Sequence, residues 1–146
     1  MLVSSFDANL LVYGHNEAAP KHGTAKIFLE KLLGASSEQI VIVHQTLFEL
    51  FSVLTSPAVF VRPLPALQAW GICQFYLTHP SIQIVAYELA VLPIVESLLR
   101  ERPQRGKRIF DVIFAATLKY HGINRLYTRN IRDFQSYSFL EIINPL

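Results

Sequence analysis

Short apolar runs alternate with helical patterns along this chain, and this alternation limits the folds that are open to it. The clearest run is residues 40–43, a continuous series of β-branched side chains, which is typical of a strand buried on both faces. Strands that alternate with helices at this spacing indicate right-handed βαβ units. We therefore predict an α/β fold with three layers, α/β/α, around a central, mostly parallel sheet of about five strands.

The boundaries of the predicted elements follow from the same patterns. Strands are predicted at residues 2–6, 40–43, 82–85, 125–128 and 139–143. Helices are predicted at residues 9–13, 17–33, 45–55, 66–76, 89–100 and 109–121. Pro93 is tolerated only in the first turn of its helix, so that helix starts between residues 89 and 92. Trp70 and Phe75 are predicted to be core aromatics of their helix, with a partner-binding stripe as the alternative.

The composition predicts a single soluble domain over residues 1–146. Hydrophobic residues make up 51% of the chain and charged residues 16%, which suits one apolar core. The only cysteine, Cys73, excludes an internal disulfide and fits a reducing cytoplasm; we expect it to be a small buried side chain.

Residues 1–13 lack the basic start of a signal peptide, and no run approaches the roughly 20 apolar residues of a membrane helix. We expect a cytoplasmic protein without membrane contact.

Positive charge is concentrated in the last third of the chain, although the formal net charge is only +2. The basic residues there are Arg100, Arg102, Arg105, Lys107, Arg108, Lys119, Arg125, Arg129 and Arg132. Such a local field attracts a phosphate-bearing partner. A solvated surface that keeps the protein soluble would give the same pattern.

Four carboxylates stand nearly alone in apolar sequence beside strand ends or helix starts: Asp7, Glu49, Asp111 and Asp133. If the first, second and fourth strands are neighbours, these acids meet at the carboxyl edge of the sheet, where α/β folds bind ligands. Like charges raise each other's pKa, so close carboxylates need a cation, and oxygen ligands suit Mg²⁺ or Mn²⁺. Such a site can hydrolyse phosphodiester bonds. Asp7 is also a candidate N-cap, and Glu49 is also explained by simple solvent exposure.

Other catalytic patterns are weak in this sequence. It contains no CxxC, HExxH or GxSxG motif and no phosphate-binding glycine loop. The five histidines share no ligand spacing, so we assign none of them to a metal.

In the order and spacing of its motifs, the chain resembles the PIN-domain ribonucleases, and specifically the VapC-type toxins of bacterial toxin–antitoxin pairs. The resemblance covers the whole chain and is weakest between residues 57 and 103. The motifs that carry it are Asp7-x-Asn9-Leu10-Leu11, a helical Glu49 after the second strand, Asp111-x-x-Phe114-Ala115-Ala116 and Thr128-x-Asn130-x-x-Asp133-Phe134.

The resemblance implies a PIN-like fold and a Mg²⁺-dependent endoribonuclease that is inhibited by a cognate antitoxin and is commonly a homodimer. By motif match, Asp7, Glu49 and Asp111 carry over as metal-binding acids. The fourth ligand is Asn130, Asp133, or a water held by both.

Supporting roles follow from the resemblance and from charge. Thr128 is similar to the family's hydroxyl that hydrogen-bonds the acids, and Asn9 belongs to the first motif. The predicted RNA contacts of Arg105, Lys107, Arg108 and Arg129 rest on charge rather than on a family motif.

Two other functions compete with the ribonuclease. A different Mg²⁺-dependent α/β phosphohydrolase also places an acid after its first strand, but Asn9 and the pair of Asp111 and Asp133 fit it poorly. A non-catalytic module would keep the fold in order to bind RNA or protein. Retention of all four acids argues against such a module.

Overall fold

Five parallel strands form one sheet in the computed structural model, within the residues that it describes, 2–35 and 37–146. The strands are β1 (Val3–Phe6), β2 (Gln39–Val43), β3 (Ile82–Val85), β4 (Arg125–Tyr127) and β5 (Glu141–Ile143). Their order across the sheet is β3-β2-β1-β4-β5, and every neighbouring pair is parallel. The predicted α/β fold with a parallel sheet of about five strands is confirmed.

The helices alternate with these strands. They are α1 (Ala8–His15), α2 (His22–Ala35), α3 (His44–Leu54), α4 (Ala66–Leu77), α5 (Leu92–Glu101), α6 (Ile109–Tyr120) and α7 (Ile131–Phe134). Short 3-10 turns at Leu89–Val91 and Gly106–Arg108 precede α5 and α6. In the described part of the chain, no helix has the length and apolar character needed to cross a membrane.

Helix α2 begins at His22 rather than at residue 17, so that predicted boundary is wrong. Asn16 ends α1, and its backbone and side-chain oxygens accept hydrogen bonds from the N–H groups of Ala19 and Ala18. Pro20 disfavours helical geometry at the residue before it. The polar turn therefore occupies the segment that the helical pattern had assigned to α2.

Helices cover both faces of the sheet. On one face, α1 to α4 pack over Phe6, Ile40 and Ile42. On the other face, residues of α6 and α7 pack over Val41 and Leu126. Because β2 is buried from both sides, residues 40–43 read as a continuous apolar run rather than as an alternating one.

The aromatic side chains Trp70 and Phe75 of α4 are 36% and 53% exposed, so the prediction that they lie in the core is wrong. The buried stripe of α4 is instead Ala69, Cys73 and Tyr76, which follow helical spacing. Trp70 follows Ala69 and Phe75 precedes Tyr76 by one residue, which places each about 100° around the helix from a member of the buried stripe. Cys73 is buried, as predicted.

Strand β1 lies at the centre of the sheet, between β2 and β4. The chain runs outward from β1 through β2 to β3, and then returns to the other side of β1 to form β4 and β5. The order therefore reverses between β1 and β4, which is where open α/β sheets form a crevice at their carboxyl ends. The first, second and fourth strands are neighbours, so the condition for the four acids to meet at one edge of the sheet is met.

Candidate active site

Four carboxylates from four separate elements line one cavity at the carboxyl edge of the sheet. Asp7 follows β1, Glu49 lies on α3, Asp111 is in the first turn of α6, and Asp133 is on α7. The cavity has a volume of about 100 Å³, and all four side chains contribute to its lining. The structure brings together the acids that the sequence predicted to converge.

Asp7 is the most buried of the four acids, with 9% of its surface exposed. Its Oδ1 accepts a hydrogen bond of 3.2 Å from the backbone N–H of Leu10, so Asp7 is the N-cap of α1, as predicted. Its Oδ2 accepts a hydrogen bond from the Thr128 hydroxyl. Burial raises the pKa of Asp7 and the Glu49 carboxylate adds to the rise, while the hydrogen bonds oppose it.

The acids fall into two pairs, because the charge of Glu49 acts on Asp7 and the charge of Asp133 acts on Asp111. Asp111 and Asp133 form the second acidic pair. Burial, followed by the charge of Asp133, raises the pKa of Asp111, whereas the nearby Arg108 guanidinium lowers it. Arg108 Nη1 lies 3.9 Å from Asp133 Oδ1, and both side chains are largely exposed, so solvent screens this ion pair. In each pair of acids, repulsion between carboxylates would be relieved by a bound cation.

Glu49 is exposed and is held by a hydrogen bond that the sequence prediction missed. Gln45, one turn earlier on α3, donates from Nε2 to Glu49 Oε1 at 2.7 Å. The hydroxyl of Tyr87, two residues after β3, donates in turn to Gln45 Oε1. The spacing of Gln45 and Glu49 by four residues was a usable signal. The approach of Tyr87 depends on tertiary structure and has no such signal.

The three predicted supporting residues lie around the same cavity. Asn9 and Asn130 are exposed and contribute to its lining. Thr128 is fully buried, and its Oγ1 accepts a hydrogen bond of 2.9 Å from the backbone N–H of Asn130 while its own hydroxyl proton is donated to Asp7. Asn130 and Asp133 are the two residues predicted as alternatives for the fourth ligand. Both line the cavity together with Asp7, Glu49 and Asp111.

Arginines border the two acids of the second pair. Arg102, Arg108 and Arg132 line a small cavity that also includes Asp111 and Asp133; we refer to these three arginines as the cationic rim. Of the three, only Arg108 was predicted from the sequence to contact RNA. Arg102 and Arg132 lie on different segments, and their spacing along the chain does not show that the fold brings them to the acids.

The other predicted RNA contacts differ in their surroundings. Arg105 and Lys107 are exposed at the 3-10 turn that precedes α6. Arg129 Nη1 donates a hydrogen bond of 2.7 Å to the Tyr13 hydroxyl, and its guanidinium carbon lies 5.0 Å from the centre of the Tyr13 ring. Arg129 is therefore partly engaged within the protein.

A larger cavity, of about 490 Å³, lies away from the acids and between α1, α2 and α4. Its lining includes His15, His22 and His79. His15 Nε2 is 2.8 Å from the Tyr76 hydroxyl, and His22 Nδ1 is 3.0 Å from the carbonyl oxygen of Tyr13. His79 Nδ1 also accepts a hydrogen bond of 3.1 Å from the backbone N–H of Ser81. All three histidines therefore have structural partners, and we place the chemistry at the smaller acidic cavity.

The acidic cavity offers the donor atoms that a hard divalent cation prefers. All four acids supply carboxylate oxygen, and the raised pKa values of Asp7 and Asp111 reflect burial and unrelieved repulsion. Among residues 2–35 and 37–146, no three acidic, histidine or cysteine side chains form a ready-made set of metal ligands. The fit of the site to Mg²⁺ or Mn²⁺ rests on the type and charge of its donor atoms alone.

Comparison with known proteins finds matches over nearly the whole chain. The family model described as PIN domain matches residues 5–140. Ribonuclease VapC24 of Mycobacterium tuberculosis is 30% identical over 147 residues, which is 97% of this chain and 96% of that protein. Among solved structures, M. tuberculosis VapC20, a Sarcin-Ricin loop cleaving toxin, has a TM-score of 0.67 at 14% identity and covers 92% of this chain and 95% of its own. VapBC2 from Rickettsia felis, bound to a promoter DNA fragment, has a TM-score of 0.67 at 18% identity over 98% of both chains.

Proposed function

Because this chain belongs to the PIN-domain family and resembles its VapC-type ribonucleases, we propose that it is a metal-dependent endoribonuclease toxin that hydrolyses RNA phosphodiester bonds. The observation that carries the proposal is the meeting of four carboxylates from four elements in one cavity at the carboxyl edge of the sheet. We propose that the chain acts as a single PIN domain.

Asp7, Glu49, Asp111 and Asp133 would hold Mg²⁺ or Mn²⁺ in this cavity. When bound, the cation supplies a water of lowered pKa and positive charge beside the phosphoryl oxygens. Thr128 orients Asp7 and favours its ionised form through a hydrogen bond. We propose Asp133 as the fourth acid because its charge already acts on Asp111, with Asn130 beside it as a neutral oxygen donor.

Basic side chains next to the acids would hold the RNA backbone. Arg108 lies between the metal-binding acids and the surface open to RNA, since it borders Asp111 and Asp133 and is exposed to solvent. Arg105, Lys107 and Arg129 would extend the positive surface from there. Contacts of this kind bind phosphate whatever the base sequence, and therefore position a substrate without selecting it.

A cognate antitoxin is the proposed protein partner. The structural relatives include VapBC2 from R. felis and a toxin–antitoxin complex from Klebsiella pneumoniae, which share the fold of this chain. We propose that the antitoxin of this chain inhibits it by entering or covering the acidic cavity. We further propose that the protein is a homodimer in the cytoplasm, where its RNA substrate is found.

Replacing one acid by its amide tests the proposal directly. Asp7→Asn and Asp111→Asn should each abolish Mg²⁺-dependent RNA cleavage and growth arrest, while circular dichroism and cooperative unfolding stay those of a folded protein. Glu96→Gln is the matched control, because Glu96 is an exposed acid on α5 that is paired with Arg100. Full cleavage by a purified, folded Asp7→Asn protein would refute the proposal.

The same protein preparation separates the alternatives. Release of phosphate from small phosphomonoesters, without cleavage of RNA, would indicate another phosphohydrolase. Binding of RNA without any cleavage, together with no heat of Mn²⁺ binding in titration calorimetry, would indicate a non-catalytic module.

A further inference from the structure

The four acids differ in how firmly the protein holds them. Asp7 accepts two hydrogen bonds and is buried, so its carboxylate is fixed. Glu49 is exposed on α3, and a free glutamate side chain there would have several rotamers available. The hydrogen bond of 2.7 Å from Gln45 Nε2 to Glu49 Oε1 restricts that freedom. Glu49 therefore depends on Gln45 for a defined position.

Gln45 depends in turn on Tyr87. A glutamine amide rotates easily about its last bond, and either its oxygen or its nitrogen could face Glu49. The Tyr87 hydroxyl donates to Gln45 Oε1, so the Gln45 NH₂ group is the part that faces the carboxylate. Tyr87 follows β3 and Gln45 is on α3, so this contact ties the helix to the neighbouring strand end.

The surroundings of Tyr87 keep its hydroxyl a donor. The ring packs against the core, and its centre lies 5.1 Å from that of His44. Burial raises the pKa of Tyr87, and the Glu49 and Asp111 carboxylates raise it further, so the phenol stays protonated. The Tyr87 phenol and the Gln45 amide are both neutral. They therefore orient Glu49 without cancelling the negative charge that a cation would bind.

We propose that Gln45 and Tyr87 are positioning residues that hold the Glu49 carboxylate ready for the divalent cation of the acidic cavity. This inference rests on the proposed function, because it assumes that the four acids bind a metal. It assigns to Tyr87, which is half-buried on a loop after β3, a role that its position in the sequence does not suggest. Outer hydrogen-bond partners of metal ligands commonly change metal affinity by about 10–100-fold.

Titration calorimetry with Mn²⁺ on the full chain tests the inference without relying on catalysis. Tyr87→Phe keeps the ring and removes only the hydroxyl, and it should weaken Mn²⁺ binding by about tenfold. Gln45→Leu should weaken binding at least as much, and the double variant should be no worse than Gln45→Leu alone. Tyr120→Phe is the matched control, since Tyr120 is an exposed tyrosine at the end of α6, and it should leave Mn²⁺ affinity unchanged.

A second comparison separates positioning from general structural damage. In a Glu49→Gln background, Tyr87→Phe should cause no further loss of Mn²⁺ affinity, because the carboxylate that it positions is absent. An equal loss with and without Glu49, or an unchanged affinity of Tyr87→Phe beside a wild type that binds Mn²⁺, would overturn the positioning role alone. A folded wild type that does not bind Mn²⁺ would overturn the proposed metal site and this inference together.

Discussion

The Thr128 hydroxyl donates a hydrogen bond to Oδ2 of Asp7 and thereby joins the residue that follows β4 to the residue that follows β1. These two strands are parallel neighbours, with Phe6 opposite Tyr127 at their carboxyl ends. The hydrogen bond lies where the strand order reverses. The buried carboxylate is therefore oriented by the central pair of strands rather than by a mobile loop.

Replacing Thr128 by valine should weaken metal binding and shift its pH dependence. Valine matches the shape of threonine but cannot donate to Asp7, so the ionised form of Asp7 loses a hydrogen bond and the pKa of Asp7 rises further. Mn²⁺ titrations across a pH series should show the affinity rising at a higher pH than in the wild type. Thr128→Ser keeps the hydroxyl and should restore most of the wild-type profile. A valine variant with an unchanged pH midpoint would contradict this role of Thr128.

Asp7→Asn should make the metal-free protein more stable at neutral pH. Burial raises the pKa of Asp7 in the folded state above its ordinary value of about 3.9, so unfolded Asp7 ionises first as the pH rises. The wild type therefore loses stability between that ordinary value and the raised folded pKa, and the amide variant does not. In EDTA at pH 7 we expect the free energy of unfolding of the variant to exceed that of the wild type by about 0.5–2 kcal/mol.

The stability that Asp7→Asn gains over the wild type should shrink toward zero as the pH falls below 4, where Asp7 is protonated in both the folded and the unfolded state. Thermal unfolding of both proteins at several pH values measures this difference. Glu96→Gln, which removes an exposed carboxylate, should stay within about 0.5 kcal/mol of the wild type. A melting temperature for Asp7→Asn that is lower than that of the wild type at pH 7 would show that the Asp7 charge is already compensated.

Arg108→Gln should reduce the salt dependence of RNA binding. If Arg108 contacts one phosphate, its removal should lower the slope of log affinity against log salt by about 0.7 for single-stranded RNA. The measurement uses the Asp7→Asn background, so that the RNA is not cleaved during titration. Arg62→Gln removes the same charge from an exposed position in the segment between α3 and α4 and should leave the slope unchanged. Equal slopes for the two variants would exclude a phosphate contact by Arg108.

The acids could be predicted from sequence because each is a charge isolated in apolar surroundings beside a strand end or a helix start. Asp7 and Asp111 were identified in this way, and the parallel sheet then required them to share an edge. The four-residue spacing of Gln45 and Glu49 was a usable signal, but the contact of Tyr87 with Gln45 could not be identified, since polar residues of these types are ordinary on helices and in loops. Their contact depends on how β3 and α3 pack, which is a property of the folded chain.

Helix faces were harder to predict than helix existence. Helix α4 was expected from its composition, yet Trp70 and Phe75 lie outside its buried stripe. Nearly every residue of α4 is apolar or uncharged, so the pattern does not separate the inner face from the outer one. The start of α2 was misplaced for a related reason, because residues 17–21 include helix-forming side chains while Pro20 and the Asn16 turn act against the helix.

Two adjacent serines of β1 should respond oppositely to truncation. Ser4 and Ser5 are both fully buried, but Ser4 Oγ donates to the Glu38 carboxylate, whereas Ser5 Oγ has no hydrogen-bond partner among the described residues. A hydrogen bond to a charged group contributes about 1.5–3 kcal/mol, so Ser4→Ala should destabilise the protein by roughly that amount. Ser5→Ala removes an unsatisfied buried hydroxyl and should be neutral or stabilising by about 1 kcal/mol. Urea unfolding of the two variants measures the difference, and equal destabilisation by both would show that the Ser5 hydroxyl has a partner in solution.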